Sequence, residues 1–369
     1  MSAGRNRSTS PMTRADAAAV AFTGARLQLA RYRAGLTMRE LAARADLSHA
    51  MISQYETGKG APTRAVLARL AVATGVSAQF FTASRSISVG GLDGTHFRSL
   101  RSTSKAARTT AWSWTETVLD LADALEEYVR LPEPDVPQVP VAPDADVDEL
   151  EHAAQYIRQH WRLPDGPVGH LVRHLEAHGV LVARLPVADQ GIDAYSHRQG
   201  DRPVVILGTD KADAARSRFD AAHELGHLVC HLEADPGSTQ EQQAHAFAAE
   251  LLMPRSAMLE VLPRRFSLPV YARLKQTWGV SLAALLYRAR QLQVLSDASY
   301  RRAVISLNQS YGRRVEPFPL PRHEQPTLLA KALTVADVTI EDLAAAVALP
   351  VDDVAAVLGP VVRKPRVQP

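Results

Sequence analysis

The sequence predicts an α+β protein, mostly α, built on at least two packed cores. Three observations carry this expectation. Capped segments with apolar residues three and four apart occupy most of the 369 residues. Runs of β type are confined to Val180–Leu185, Ile192–Ser196 and Val204–Leu207. A chain of 369 residues that is 46% hydrophobic and 22% charged also exceeds what one ordinary domain holds.

Taken in order, residues 22–82 read as short helices with tight turns, and the Gly/Ser/Thr/Arg-rich stretch Ser84–Thr110 reads as a connector. A helix follows with Val118, Leu121, Ala122, Leu125 and Val129 on one face, ending at Leu131-Pro132. The five prolines from Pro132 to Pro143 enforce an extended segment, which marks the main boundary. Helices at Asp146–Trp161 and Pro167–His178 precede the β-type runs, and helices resume over Lys211–Leu252. The chain stays helical to about residue 308 and again over Leu328–Leu358, with breaks around Pro317–Pro326. Domains are expected at 20–83, 84–143 (connector), 144–262 and 263–369, with no fixed-period repeat. Trp278–Ala289 reads as an N-capped amphipathic helix that packs or dimerises. Val335–Leu358 gives two short helices, for which packing or partner docking outweighs a second DNA-binding unit.

Composition narrows the function classes. No run approaches the roughly 18 apolar residues of a membrane span, and Met1–Thr13 is polar and Arg/Ser-rich, so a cytoplasmic chain without membrane contacts is expected. The single cysteine, Cys230, excludes a disulfide framework or a multi-cysteine metal site within one chain. Any metal must therefore be held by His and carboxylates. Charge is split unevenly: 16 Lys and Arg face 5 Asp and Glu through Thr110 (+11), and 26 face 34 beyond it (−8), giving the +3 of the whole. A basic front joined to an acidic body suggests nucleic-acid binding at the front.

Within that front, Leu36–Gly58 has the pattern of a helix-turn-helix. Thr37 and Ser48 are N-caps for two consecutive helices, Leu41, Leu47, Ile52 and Tyr55 supply a small core, and Gly58 closes the second helix. Pro62-Thr63 opens a further helix whose Leu67, Leu70, Ala71 and Val76 complete the bundle. A 100° step per residue leaves His49, Ala50, Ser53 and Gln54 on the outward face, small and polar as entry into a major groove requires. Over about 60 residues this stretch resembles the phage-repressor-like (Xre) helix-turn-helix family, departing from it at Met38, where many members carry Gln. The resemblance implies an operator in double-stranded DNA, with Thr37, Ser48, His49, Ala50, Ser53 and Gln54 near it and Lys59 and Arg64 on phosphates. It also makes a homodimer reading paired half-sites plausible; a docking module without DNA binding is the alternative.

In the acidic body, Phe219–His231 contains His223-Glu224-x-x-His227 in a helical setting. Histidines four apart share one face, so both reach one ion, and Glu224 beside them is free to act as base. The flanking Ala221, Ala222, Leu225, Leu228 and Val229 bury this helix, and a zinc ion would offset the desolvation of its polar groups. His231 continues the stripe but stands about 12 Å along the axis from His223, too far to share the ion. A carboxylate downstream is needed. Glu241 and Glu250 lie on opposite sides of the next helix, and Glu241 shares the face of Ala244, Ala248 and Leu252, so Glu241 is the expected third ligand. His245 is either a partner orienting a ligand or an interface histidine; Tyr195, His197 and Arg218 are oxyanion candidates, or else a strand surface residue, a loop histidine and a structural ion pair. The run Val204–Leu207 would be either an edge for strand addition or a central strand, and Cys230 is expected to be a buried structural thiol.

The run Arg-x-Arg-Phe-x-x-Ala-His-Glu-Leu-Gly-His from Arg216, with Glu-x-x-Ala-x-x-Phe-Ala-x-x-Leu-Leu-Met-Pro from Glu241, resembles the ImmA/IrrE family of zinc metallopeptidases over roughly residues 145–260. His245 departs from it, Asn or Asp being commoner there. The resemblance implies a zincin-like domain with a small sheet, one zinc ion per chain on His223, His227 and Glu241, and Glu224 as general base. It further implies a protein substrate, an Xre-type repressor or antitoxin-like protein, or the chain itself. Two functions follow: a DNA-binding regulator with an active zinc endopeptidase, or one whose peptidase-like domain senses a ligand or metal without cleaving. The intact Glu224 favours the first.

Overall fold

A computed structural model describes residues 22–82, 85, 87, 104–185, 193–209, 213–231, 238–312 and 316–359. Ile192, Lys211 and most of the Ser84–Thr110 connector lie outside the described residues. The architecture is α+β, mostly α: sixteen α-helices and one three-stranded sheet among the described residues. The chain forms two compact units, one within Met1–Val89, Thr109–Ala124 and Val338–Val354, the other within Gly90–Arg108, Leu125–Asp337 and Ala355–Pro369.

The first unit begins with α1 (Gly24–Arg33), α2 (Met38–Arg44), α3 (His49–Glu56) and α4 (Arg64–Thr74), followed by a 3-10 turn at Ala78–Thr82. Local chemistry sets each start: Thr37 and Glu40 form a reciprocal capping box on α2, and the Ser48 and Thr63 hydroxyls accept backbone N–H groups of Met51 and Val66. Leu27, Leu41, Ile52, Leu67 and Leu70 close the core. The α3 helix is held in place from α1. Arg31 grips both oxygens of Glu56 at 2.6 and 2.8 Å and donates to the Leu36 carbonyl at 3.1 Å. At Gly24 a β-carbon would collide with the carbonyl oxygens of Tyr55 and Glu56, so only glycine lets α1 start this close to α3. Helix α5 (Lys105–Glu126) contributes Asp120, which pairs with Arg26 and Arg85, and Glu116, which accepts from Arg85.

The second unit carries α6 (Val147–His160), α7 (Leu171–Ala177), β1 (Leu181–Leu185), β2 (Ala194–Gln199), β3 (Arg202–Gly208), α8 (Ala214–Cys230), α9 (Ser238–Leu252), α10 (Arg255–Val261), α11 (Leu268–Trp278), α12 (Leu282–Gln291), α13 (Asp297–Tyr311) and α14 (Leu328–Ala336). Strand order is β1-β3-β2, parallel between β1 and β3 and antiparallel between β2 and β3. Among the described residues Val204–Leu207 is thus the central strand, and β2 lies at an edge. The core joins Val182, Val205 and Leu207 of the sheet to Leu225 and Val229 of α8 and Phe247 and Leu251 of α9. Glu250 is fully buried, paired with Arg288 and accepting from Gln155 and the Arg255 backbone N–H, so it fastens α10 and α12 to α9. The segment between α13 and α14 is tied down by carboxylates. Glu316 binds Lys275 and the first N–H groups of α12, Glu324 pairs with Arg218, and Glu176 of α7 accepts from Thr327 and Leu328.

The proline-rich segment after α5 is extended, as its prolines dictate, and it does structural work at the end of α8. A helix end leaves carbonyls without partners. Val139 and Val141 donate to the carbonyls of Val229 and Cys230 at 2.9 and 3.3 Å, and Val136 is buried in the core.

The last helices, α15 (Ile340–Val347) and α16 (Val351–Leu358), repeat with α14 the backbone course of α1 to α3 at one constant offset. Thr37 and Thr339 cap equivalent helices by accepting from Glu40 and Asp342 N–H groups. Left-handed residues recur at the same places: Gly35 (φ 65°) matches Asp337 (φ 56°), and Asp46 (φ 51°) matches Ala348 (φ 59°). Leu47 N–H donates to Ala42 at 2.8 Å, and Leu349 N–H to Ala344 at 3.0 Å. Buried Leu27, Leu41, Ala42 and Ile52 correspond to buried Leu329, Leu343, Ala344 and Val354. Sequence alone hid this two-copy repeat because the matching positions share apolar character and few identities. In the first unit Arg33 pairs with Asp353, and Ser77 N–H donates to Ala348 at 3.3 Å.

Two predictions follow. Ala348 has a β-carbon in a left-handed conformation, so Ala348→Gly is expected to stabilise by about 0.5–1 kcal/mol, read as a higher urea midpoint; an unchanged or lower midpoint would contradict the strain. Cys230 is 2% exposed and burial pushes its thiol up to about 12, so alkylation at pH 8 should be negligible in the native chain and complete after unfolding, measured by mass shift.

Candidate functional site

Helix α8 carries His223, Glu224 and His227, and α9 carries Glu241. The two helices approach closely at Gly226, where a β-carbon would stand 3.2 Å from the Ala244 backbone and 3.0 Å from the Phe247 ring. Without a side chain there, α9 lies near enough for Glu241 to reach both histidines. His223 Nε2 lies 3.1 Å from His227 Nε2 and 3.2 Å from Glu241 Oε2, and His227 Nε2 lies 3.4 Å from Glu241 Oε1. Ligand atoms about 2.0–2.1 Å from a tetrahedral zinc stand about 3.3 Å apart; the two histidine nitrogens have that spacing, and each has one oxygen of Glu241 at a similar distance. Among the described residues this is the group of three or more His, Cys, Asp or Glu able to hold a metal. Glu250, the other carboxylate weighed on α9, is buried against Arg288 on a different side.

Electrostatics match that crowding. The hydrogen bond from His223, with the His227 imidazole close by, holds Glu241 well below the ordinary carboxylate range. Burial pulls His223 down, but its bond to Glu241 and the charge of Glu224 more than offset this and leave it above the usual histidine value. Glu224 is 3% exposed, and burial raises it despite the nearby His227 and His223. Its Oε2 accepts a 2.7 Å hydrogen bond from Ser196 Oγ on β2.

The remaining expectations divide. Tyr195 is fully buried, on the opposite face of β2 from Ser196, and His197 is buried on that same opposite face. The structure therefore brings Ser196 to Glu224 and leaves Tyr195 and His197 away from it. Arg218 donates to the Val168 and Gly169 carbonyls and pairs with Glu324, which commits it to packing. His245 stands beside the site, its ring centroid 6.4 Å from that of His223 and 4.7 Å from that of Phe219. It lines a cleft of about 660 Å³ with His223, Glu241, Gln242, Leu150 and Tyr287. Burial, then the neighbouring His223, lowers its pKa.

Sequence reasoning missed Ser196 and the role of His231. The signal for Ser196 was its place on a strand that precedes α8. His231 lies outside the group of His223, His227 and Glu241; its Nδ1 lies 3.0 Å from His227 Nδ1 and its Nε2 3.0 Å from Gln243 Oε1.

On the first unit His49, Ala50, Gln54 and Lys59 are exposed on α3 and just beyond it, and Ser53 is half-buried. Thr37 and Ser48 are exposed, their hydroxyls engaged in capping. Thr37 precedes α2, Ser48 precedes α3, and the other five lie on α3 or just beyond it.

No described helix is long and apolar enough to cross a membrane. No curated protein matches the chain. Residues 27–81 match the family model described as helix-turn-helix, and residues 175–290 match the one described as the IrrE N-terminal-like domain. The chain thus joins an Xre-like helix-turn-helix DNA-binding domain to an ImmA/IrrE-like, metallopeptidase-like domain in one polypeptide.

Proposed function

We propose that this DNA-binding regulator is also a zinc-dependent endopeptidase that cuts a protein substrate, a repressor-type or antitoxin-like protein or the chain itself, to control transcription. The observation that carries the reading is the mutual 3.1–3.4 Å spacing of His223, His227 and Glu241 with the Glu224 carboxylate beside them. His223, His227 and Glu241 would hold one zinc ion. Zinc in such a site acidifies a water and polarises a carbonyl.

The chain's own residues supply the rest. Burial raises Glu224 above the usual carboxylate value against the pull of the two histidines, and as the base it would take a proton and return it to a leaving amine. Ser196 donates to one carboxylate oxygen of Glu224 and leaves the other for that transfer. Among the described residues β2 has one strand neighbour, β3, so its outer edge offers backbone groups to an extended peptide next to Glu224. His245 and Tyr287, on the cleft wall, would meet the substrate side chains. On the first unit, His49, Ser53 and Gln54 would read base edges, Thr37, Ser48 and Ala50 would sit against the groove, and Lys59 would contact phosphate. Two chains on paired half-sites would bind as a homodimer.

Purified chain with zinc, incubated with Xre-type repressors, should yield a cut that Glu224→Gln slows by about 10²–10⁴-fold while zinc content is kept. Ser196→Ala should slow it by roughly tenfold or less, since it orients rather than transfers. A chain that binds zinc and operator but cleaves nothing would favour the non-catalytic sensor. For DNA, Gln54→Ala should cost about 1–3 kcal/mol on the specific site only. Lys59→Ala should weaken specific and non-specific binding alike and reduce the salt slope by about 1, measured by fluorescence anisotropy; a sequence-selective loss would contradict the phosphate role.

A further inference from the structure

Histidines 223, 227 and 231 form one stripe along α8, and the third of them ends in a hydrogen-bond chain that leaves the metal face. Gln243 of α9 donates its side-chain amide N–H groups to the carbonyls of Ala142 and Pro143, at 2.8 and 3.3 Å. Two carbonyl oxygens at that end of the amide require the NH₂ group there, since carbonyls only accept. The Gln243 oxygen is therefore turned to His231 Nε2, 3.0 Å away, and that nitrogen must carry the proton. A neutral His231 protonated at Nε2 has a bare Nδ1, which accepts from His227 Nδ1 at 3.0 Å. His227 is then protonated at Nδ1, and the lone pair of its Nε2 points at His223 and Glu241.

We infer that His231 and Gln243 are positioning residues: together with the backbone of the proline-rich segment they fix the tautomer and ring orientation of His227, so that its Nε2 lone pair is presented to the metal. The inference rests on the zinc reading above. Many metal-binding histidines are oriented by a carboxylate or a backbone carbonyl. Here the carbonyl is reached through two neutral side chains. The arrangement orients His227 without adding negative charge beside a site that already holds Glu224 and Glu241. His231 is 8% and Gln243 4% exposed, so water does not compete for these bonds. The chain of bonds also gives Ala142 and Pro143 a function: the segment that caps α8 anchors the relay.

Two measurements test this on the full-length protein. Long-range ¹H–¹⁵N correlation spectra of the zinc-free chain at pH 8 should show His227 protonated at Nδ1 and His231 at Nε2; the opposite tautomer of His231 would overturn the relay. Zinc affinity, read by competition with a chelating dye, should fall on the order of 10–100-fold in His231→Ala and in Gln243→Met. His231→Gln, whose side-chain oxygen can accept from His227 Nδ1, should restore affinity to within a few-fold of the parent and remains informative if the alanine variant folds poorly. Urea midpoints of the zinc-free variants serve as the control: variants that lose stability yet bind zinc as tightly as the parent would show that His231 only packs, overturning the relay alone. A parent chain that takes up no zinc would overturn the metal reading and the relay together.

Discussion

The close approach of α8 and α9 at Gly226 is the constraint on which the site depends. A β-carbon at that position would press on the Ala244 backbone, and the two helices would have to part. Three residues of α9 use this proximity in different ways. Glu241 reaches His223 and His227, Gln243 reaches His231, and Phe247 enters the core beside Leu225. A small outward shift of α9 would therefore loosen the ligand set and its support together. The glycine in the His-Glu-Leu-Gly-His run is a packing requirement that the chemistry inherits.

Holding polar groups inside such a tight pair has an energetic cost, and the surrounding structure is arranged to offset it. Glu224 loses solvent but gains the Ser196 hydrogen bond and the field of two histidines. Glu250, on the far side of α9, is matched by Arg288, Gln155 and the start of α10. The end of α8 receives its missing donors from Val139 and Val141. Each of these groups thus has a named partner elsewhere in the chain, which holds α8 and α9 in position without lining the cleft.

How much of this was legible in the sequence depends on the range of the interaction. Helix periodicity and capping residues are local, so the helices, the His223/His227 face and the separation of Glu241 from Glu250 could be read from a 100° step. Strand order is not local. The alternation in Ala194–Gln199 could not say which face met α8, so Tyr195 was weighed as an oxyanion donor and Ser196 was passed over. For Arg218 the sequence leaves an oxyanion donor and a structural ion pair both open, because its partner, Glu324, lies over a hundred residues away. For His231 the axial distance from His223 bears only on direct ligation. Its bond to His227 needs the ordinary four-residue spacing, and its purpose needs Gln243 and Ala142, which only the fold brings near.

The repeat of α1 to α3 in α14 to α16 separates what a scaffold dictates from what its surface does. Backbone course, capping threonines, left-handed turns and buried positions agree between the two copies. The outward residues do not. Where α3 begins His49-Ala50-Met51, α16 begins Val351-Asp352-Asp353, and where α2 carries Arg39 and Arg44, α15 carries Glu341 and Ala346. Carboxylates at the start of a helix suit its positive end, but they repel phosphate and remove the counterion release that drives DNA binding. Asp353 is instead paired with Arg33 inside the first unit. The same local pattern of caps and left-handed turns therefore occurs twice with opposite outward charge, and the carboxylates of the second copy are unsuited to phosphate.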